Sequence, residues 1–329
     1  GIPESGNGIP DLLDEIKWEL DWLLKMQNPD GSVLYRVDVT DYSHASPPSM
    51  DGGPRRYAPA TASATISACG AYAHAALVFA SLPQTQPYAA TLQSAAVNAW
   101  NWLVTHPEAI PSAYNNAGFA AVVSDESAYD QQTSRLCAAI YLFRLTGAAT
   151  YRSFVDANYL SAHLFVWTYA SVFEQEYNDA LLLHADSPGA TPSVAALINY
   201  WYSDSVFVDH LPQVQNLVDP YGAFLEDQFH YWGCNRIRAL QGQRYASMIR
   251  RGLGGANTEA LRDAAEAYVH FFHGVNPLGF VFLTNMGAFG ANSSVNETFH
   301  YWFFHGTVWD NATTSPFGPP PGYLTGGPN

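Results

Sequence analysis

Leu12, Leu13, Ile16, Leu20, Leu23 and Leu24 recur through "IPDLLDEIKWELDWLLKMQNPDG" at three- and four-residue intervals. That spacing lines one side of a helix with an apolar stripe. Pro10 stands at the first turn, Asp11, Asp14 and Glu15 crowd the positive end of the dipole, and Lys25 sits in the last turn. Asn28-Pro29-Asp30-Gly31 then stops the run. The paired acids Asp14 and Glu15 are accounted for by the dipole and need no catalytic role. An alternating run, "SVLYRVDV", predicts a short strand at 32–39, followed by a polar, proline-bearing loop through "HASPPSMDGGPRR".

Helical spacing returns at roughly 60–80, 88–105, 130–146, 149–163, 165–171, 191–201, 234–252 and 258–273. Turns such as "SLPQTQP", "THPEAIPS" and "HADSPGATP" separate these segments. Strands do not alternate with helices, so the expected class is all-α, a single domain over 1–329. Many helix pairs in one chain can close into a helical toroid. In "APATASATISACGAYAHAALVFA" nearly every residue is small, which suits a helix approached closely on several sides. From Leu278 the texture changes to a long aromatic and glycine-rich stretch without helical or strand period. Long loops of that kind carry function, and "VNETFHYWFFHG" sets hydrogen-bonding groups beside aromatic faces.

Composition narrows the partner. Asp and Glu outnumber Lys and Arg by 29 to 14, giving a net charge of −15. Nucleic acid and anionic membranes require clustered cations and are excluded as expected partners. Aromatic residues make up 14% of the chain, with 9 Trp and 20 Tyr. Their faces suit the flat apolar sides of sugar rings as well as an ordinary core. Cys69, Cys137 and Cys234 are widely spaced and form no ligand run, so buried free thiols are expected and structural zinc is not. No stretch is read as long and apolar enough to span a bilayer, and the first residues lack the regions of a secretory signal. N-x-S/T sequons occur at Asn292, Asn296 and Asn311.

Several stretches together resemble the catalytic domain of family 9 glycoside hydrolases, the cellulases built on an (α/α)6 barrel. They are "IPESGNGIPDLLDEIKWELDWLLKMQNPDGSV", "RYAPATASAT", "HYWGCNR", "HGVNPLG", "SVNETFHYWF" and "GPPPGYLTGGPN", in the family's order and spacing. The resemblance implies an inverting hydrolase of β-1,4-glucan, cellulose or a related polymer, using one carboxylate as base and one carboxylic acid as proton donor. In the family the base belongs to a D-A-G-D motif before the "IPDLLDE" helix, and the acid follows the "GGPN" turn. Neither is present in the sequence. The expectation is therefore a barrel incomplete at both ends, supplying mainly the substrate cleft, with its catalytic residues unassigned. Glu297 belongs by position to the substrate loop.

The substrate-binding residues implied are Tyr231 and Trp232 at the cleft mouth, Asn235, His300 and Glu297, with Tyr57 and Tyr323 as further aromatic contacts. No arginine follows His300 where most of the family has an H-H-R run. The resemblance requires no cofactor but leaves calcium as a candidate. Thr133 and Ser134 stand where the acidic ligand pair is expected, so a displaced site would use Asp125, Glu126 and Asp130. A β-glucan partner, accessory modules and a secreted or periplasmic location also follow from the resemblance. A non-catalytic carbohydrate-binding protein, or an exo-acting glucosaminidase with an acidic partner for the amino group, are the alternatives.

Overall fold

Helix α1 (Asp11–Lys25) forms where the leucine spacing places it. In the computed structural model the described residues are 4–40, 52–115, 118–120, 124–216, 219–296 and 321–327. Two antiparallel ribbons follow α1. In the first, β1 (Val33–Leu34) pairs with β4 (Ala60–Thr61); in the second, β2 (Val37–Val39) pairs with β3 (Arg55–Tyr57). The helices then run α2 (Ala62–Phe79), α3 (Gln86–Thr105), α4 (Ala128–Thr146), α5 (Ala149–Asn158), α6 (His163–Val166), α7 (Gln175–Ala185) and α8 (Pro192–Ser205). A π turn (Val206–His210) leads into α9 (Leu211–Gln215), and α10 (Cys234–Arg250) and α11 (Thr258–Phe272) complete the helices. Strands β5 (Val281–Thr284) and β6 (Ser294–Val295) pair in parallel.

Two compact units divide the chain. One comprises Gly1–His44, Gly52–Ala162 and Glu176–Ile198; the other comprises Ala45–Asp51, His163–Gln175 and Asn199–Asn329. In the first, α2 packs against both α3 and α4, which its small side chains permit. A β-carbon on Gly70 would already touch Ala138 at 3.8 Å. Ile66, Tyr72 and Ala76 of α2 are buried with Leu92 and Leu103 of α3 and Leu136 and Ile140 of α4. The Tyr72 hydroxyl donates to the Leu23 carbonyl at 2.8 Å, tying α1 to this core. By length and mean hydropathy of 1.3, α2 could cross a bilayer, against the sequence expectation. Its burial is that of a core helix.

Ser127 caps α4. Its Oγ accepts from the Asp130 amide at 3.1 Å and donates to the Asp130 carboxylate at 2.6 Å, while Gly147 at φ +69° closes the far end. Ser127→Ala is expected to cost about 1 kcal/mol, read as a lower urea midpoint. An unchanged midpoint would show that the cap contributes nothing.

In the second unit α10 packs on α11, with Gly242 set against the Tyr268 side chain, where a β-carbon would stand 3.0 Å away. The Tyr268 hydroxyl donates to the Phe224 carbonyl at 2.7 Å. The helix expected at 165–171 is instead α6, which ends at Val166; Thr168 turns the chain at φ +52°. His163 stacks on Trp167 at 3.5 Å and pairs with Glu174, which holds this turn closed. The stretch from Leu278, expected to lack regular structure, contains β5 and β6. Gln175–Ala185 forms a helix the sequence reading passed over.

Candidate functional site

Residues 322–327 form a strap with two anchors in the second unit. On one side it runs beside β5: Thr325 N–H donates to the Phe282 carbonyl, Thr284 N–H to that of Tyr323, and Gly322 N–H to that of Thr284, all at 2.8 to 2.9 Å. On the other it caps the start of α10. The Gly326 carbonyl accepts from the Gly233 amide at 2.9 Å and the Asn235 amide at 3.2 Å, two groups with no partner inside the helix. Asn235 Nδ2 donates back to the Thr325 carbonyl at 3.1 Å.

The fit leaves no room for a side chain at Gly326 or Gly327. A β-carbon on Gly327, at φ +94°, would lie 2.8 Å from Cys234 Sγ, and one on Gly326 would lie 3.0 Å from Trp232 Nε1. The strap and the α10 entry thus enclose a cleft of about 860 Å³. Phe173, Tyr231, Trp232, Arg236, Leu278 and Tyr323 shape its walls. Trp232 is 73% exposed, Tyr323 68% and Tyr231 45%. Large rings kept open to solvent over a firmly bonded backbone offer flat apolar faces, with polar tips for hydroxyl groups. Among the described residues, the lining contains no Asp or Glu.

Of the residues singled out from the sequence, Tyr231, Trp232 and Tyr323 meet in this cleft. Asn235 does not open into it: the side chain is fully buried, and its amide holds the strap. Tyr57 stands on β3 of the other unit, opposite Val37, with an exposed ring. Glu297 and His300 lie outside the described residues. Phe173 and Arg236 line the cleft although sequence reasoning did not name them. Arg236 lies in the first turn of α10, directly after the Trp232 motif. It brings a guanidinium to the cleft, where none was expected after His300.

The acids considered for calcium are engaged locally. Asp125 accepts from Ser112 Oγ at 2.8 Å and from the Tyr114 amide at 2.9 Å. Burial would raise its carboxyl, but hydrogen bonds from Ser63, Tyr114 and Ser112 outweigh that and hold it below the usual range. Burial pushes Glu126 upward, and the charges of Asp130 and Asp125 add to the rise. Asp130 serves the Ser127 cap. No group of three or more His, Cys, Asp or Glu able to hold a metal occurs among the described residues. These side chains do not fit a calcium ligand set. All three cysteines are free and buried, and burial raises Cys69 and Cys137 to about 12, which makes them inert thiols.

Comparison with known proteins places these features in context. Residues 3–329 match the model of a family described as Glycosyl hydrolase family 9. The chain is 28% identical over 351 aligned positions to Endoglucanase D of Acetivibrio thermocellus, covering 99% of the chain and 48% of that protein. It is 27% identical to a xyloglucan-specific endo-beta-1,4-glucanase of Bacteroides ovatus, covering 100% of the chain and 54% of that protein. The chain therefore spans about half the length of these curated relatives. A crystal structure of a metagenome-derived glycoside hydrolase family 9 endoglucanase superposes with a TM-score of 0.73 at 25% identity, over 99% of this chain and 55% of that one. The all-α class expected from the sequence, that of the (α/α)6 barrels, agrees with this likeness.

Proposed function

The chain belongs to glycosyl hydrolase family 9, and from that premise we propose that it supplies the glucan cleft of an enzyme that hydrolyses β-1,4-glucosidic bonds. The substrate is cellulose or a related β-glucan. The observation that carries this reading is the exposed Trp232 ring, which lines the cleft with Gly326 of the strap set against it. A glucosyl ring presents axial C–H groups on its faces and hydroxyls around its rim. Stacking on Trp232, flanked by Tyr231 and Tyr323, buries the faces, and Arg236 donates to the rim.

Inverting hydrolysis requires a base that activates water on one side of the sugar and an acid that protonates the leaving oxygen on the other, roughly 6.5–9.5 Å apart. Neither role is assigned to a described residue. The work of the cleft residues in this scheme is to bind and orient the chain so that the scissile bond meets those groups. A polymer that cannot enter a cell places the protein in a secreted or periplasmic setting. A binding-only role is the second reading, favoured by the lack of a carboxylate in the described lining. Release of reducing sugar from cellohexaose by the full-length protein separates the two.

Trp232→Ala is expected to weaken binding of cellohexaose at least about fivefold in calorimetric titration, since a stacked aromatic contributes ~1 kcal/mol beyond the area it buries. Equal affinity for wild type and variant would sink the assignment of this cleft.

A further inference from the structure

A second hollow of the same unit, of about 420 Å³, is walled by Phe224, Leu225, Phe271, Leu278 and Phe282 and also lined by Arg238. It shares only Leu278 and Phe282 with the Trp232 cleft. We propose that this hollow binds a monocarboxylate with an apolar body, the carboxylate on Arg238 and the body against the phenylalanine walls. Its ligand is thus chemically unlike a glucan.

Arg238 carries the argument. It is only 4% exposed, and a guanidinium does not shed its charge at any ordinary pH. The partners it has are weak ones. Nε donates to the Ala223 carbonyl at 3.4 Å, a long bond, and Nη1 to Cys234 Sγ at 3.3 Å, a poor acceptor. The guanidinium carbon lies 4.3 Å from the centre of the Phe271 ring, which attracts a cation without neutralising it. Among the described residues Nη2 has no hydrogen-bond partner, and no carboxylate forms an ion pair with this side chain. A buried cation without a counter-charge is costly, so the hollow beside it favours an anion.

The rest of the lining says which anion. Phe271 and Phe282 stack at 5.9 Å and are both buried, as is Leu225, so the walls present fixed apolar surface. Asn276 has little left for a ligand: its Nδ2 donates to the Phe271 and Phe280 carbonyls, and its Oδ1 accepts from the Leu278 and Phe280 amides. Asp219 and Asp227 also line the hollow, and one oxygen of Asp219 holds the Tyr221 amide at 2.9 Å. Their charges repel a second negative charge on a ligand, which disfavours phosphate, sulfate and dicarboxylates. The guanidinium fork matches the two oxygens of one carboxylate. The volume lies within the range of small-ligand sites, about 300–1,000 Å³.

The test is calorimetric titration of the protein with benzoate, benzamide and phthalate at one ionic strength. Benzoate is expected to bind saturably. Benzamide, the same body without the charge, and phthalate, with a second charge, are expected to bind at least about tenfold more weakly, the worth of one charge-assisted hydrogen bond. Arg238→Gln is expected to weaken benzoate by the same factor and to leave benzamide unchanged. Equal affinities for benzoate and benzamide, or for wild type and variant, would overturn the role of Arg238. If Arg238→Gln does not fold, the comparison of ligands on the wild type decides alone. Phthalate bound as tightly as benzoate would overturn the single charge, and a lack of saturable benzoate binding would overturn the site. Displacement of benzoate by cellobiose would instead make the hollow part of the glucan cleft and overturn the apolar ligand.

Discussion

Replacing Gly31 by alanine is expected to destabilise the protein by roughly 3 kcal/mol, seen as a large drop in urea midpoint. Gly31 closes the turn after α1 at φ +98°, and a β-carbon there would stand 2.3 Å from the Asn98 carbonyl oxygen of α3. The clash is with backbone, so no rotamer change relieves it. The turn has little freedom to shift. Gly31 N–H donates to the Asn28 carbonyl, Asn28 N–H to that of Ser32, and Asp30 Oδ1 accepts from both the amide and hydroxyl of Ser32. Gln27 fastens the turn to α3 by donating to the Ala95 carbonyl at 2.9 Å. Either the turn moves off α3 or it breaks; a midpoint within error of wild type would show that neither close approach nor left-handed backbone matters here.

The same turn shows how far sequence reasoning reaches. Asn28-Pro29-Asp30-Gly31 marks the end of α1 because its signals are local, and the small residues of α2 announce a closely packed helix for the same reason. Helix α7 escaped because Ala180, Leu181 and Leu182 are buried consecutively, which blurs the one-sided stripe that periodicity detects. The stretch from Leu278 looked irregular because its order is non-local: β5 is held by Ser294–Val295 and by the strap at 322–327, partners no local pattern names.

The cleft divides along that line. Tyr231 and Trp232 were legible as a motif. That Tyr323 joins them depends on the strap bonding to α10, and Phe173 arrives from a turn fixed by His163, Trp167 and Glu174. Asn235 carried the signature of a ligand-binding amide, yet its bond to Thr325 makes it the clasp that shapes the cleft. Sequence identifies the residue type; only packing decides which side of the backbone it serves.

Acid is expected to unfold the protein progressively below about pH 6.5, with His210 as a principal cause. His210 ends the π turn in the core, 1% exposed. Its Nε2 lies 3.1 Å from the Ala170 carbonyl, an acceptor only, so Nε2 carries the proton and Nδ1 is left buried without a partner. Burial first, and then the charge of Arg244 on the same carbonyl, push its pKa down to about 2. The unfolded chain binds a proton at His210 near the ordinary value of about 6.5, whereas the folded chain does not. Stability from this group is complete above about pH 6.5 and declines as pH falls towards 2. At pH 4.5 the loss is roughly 2 to 3 kcal/mol, at 1.36 kcal/mol per pH unit. Burial lowers His74 and His184 in the same direction, so they steepen the decline. His210→Gln, which can keep a donor on Ala170 but does not titrate, is expected to flatten urea stability between pH 7.5 and 4.5. An unchanged slope would place the acid sensitivity elsewhere.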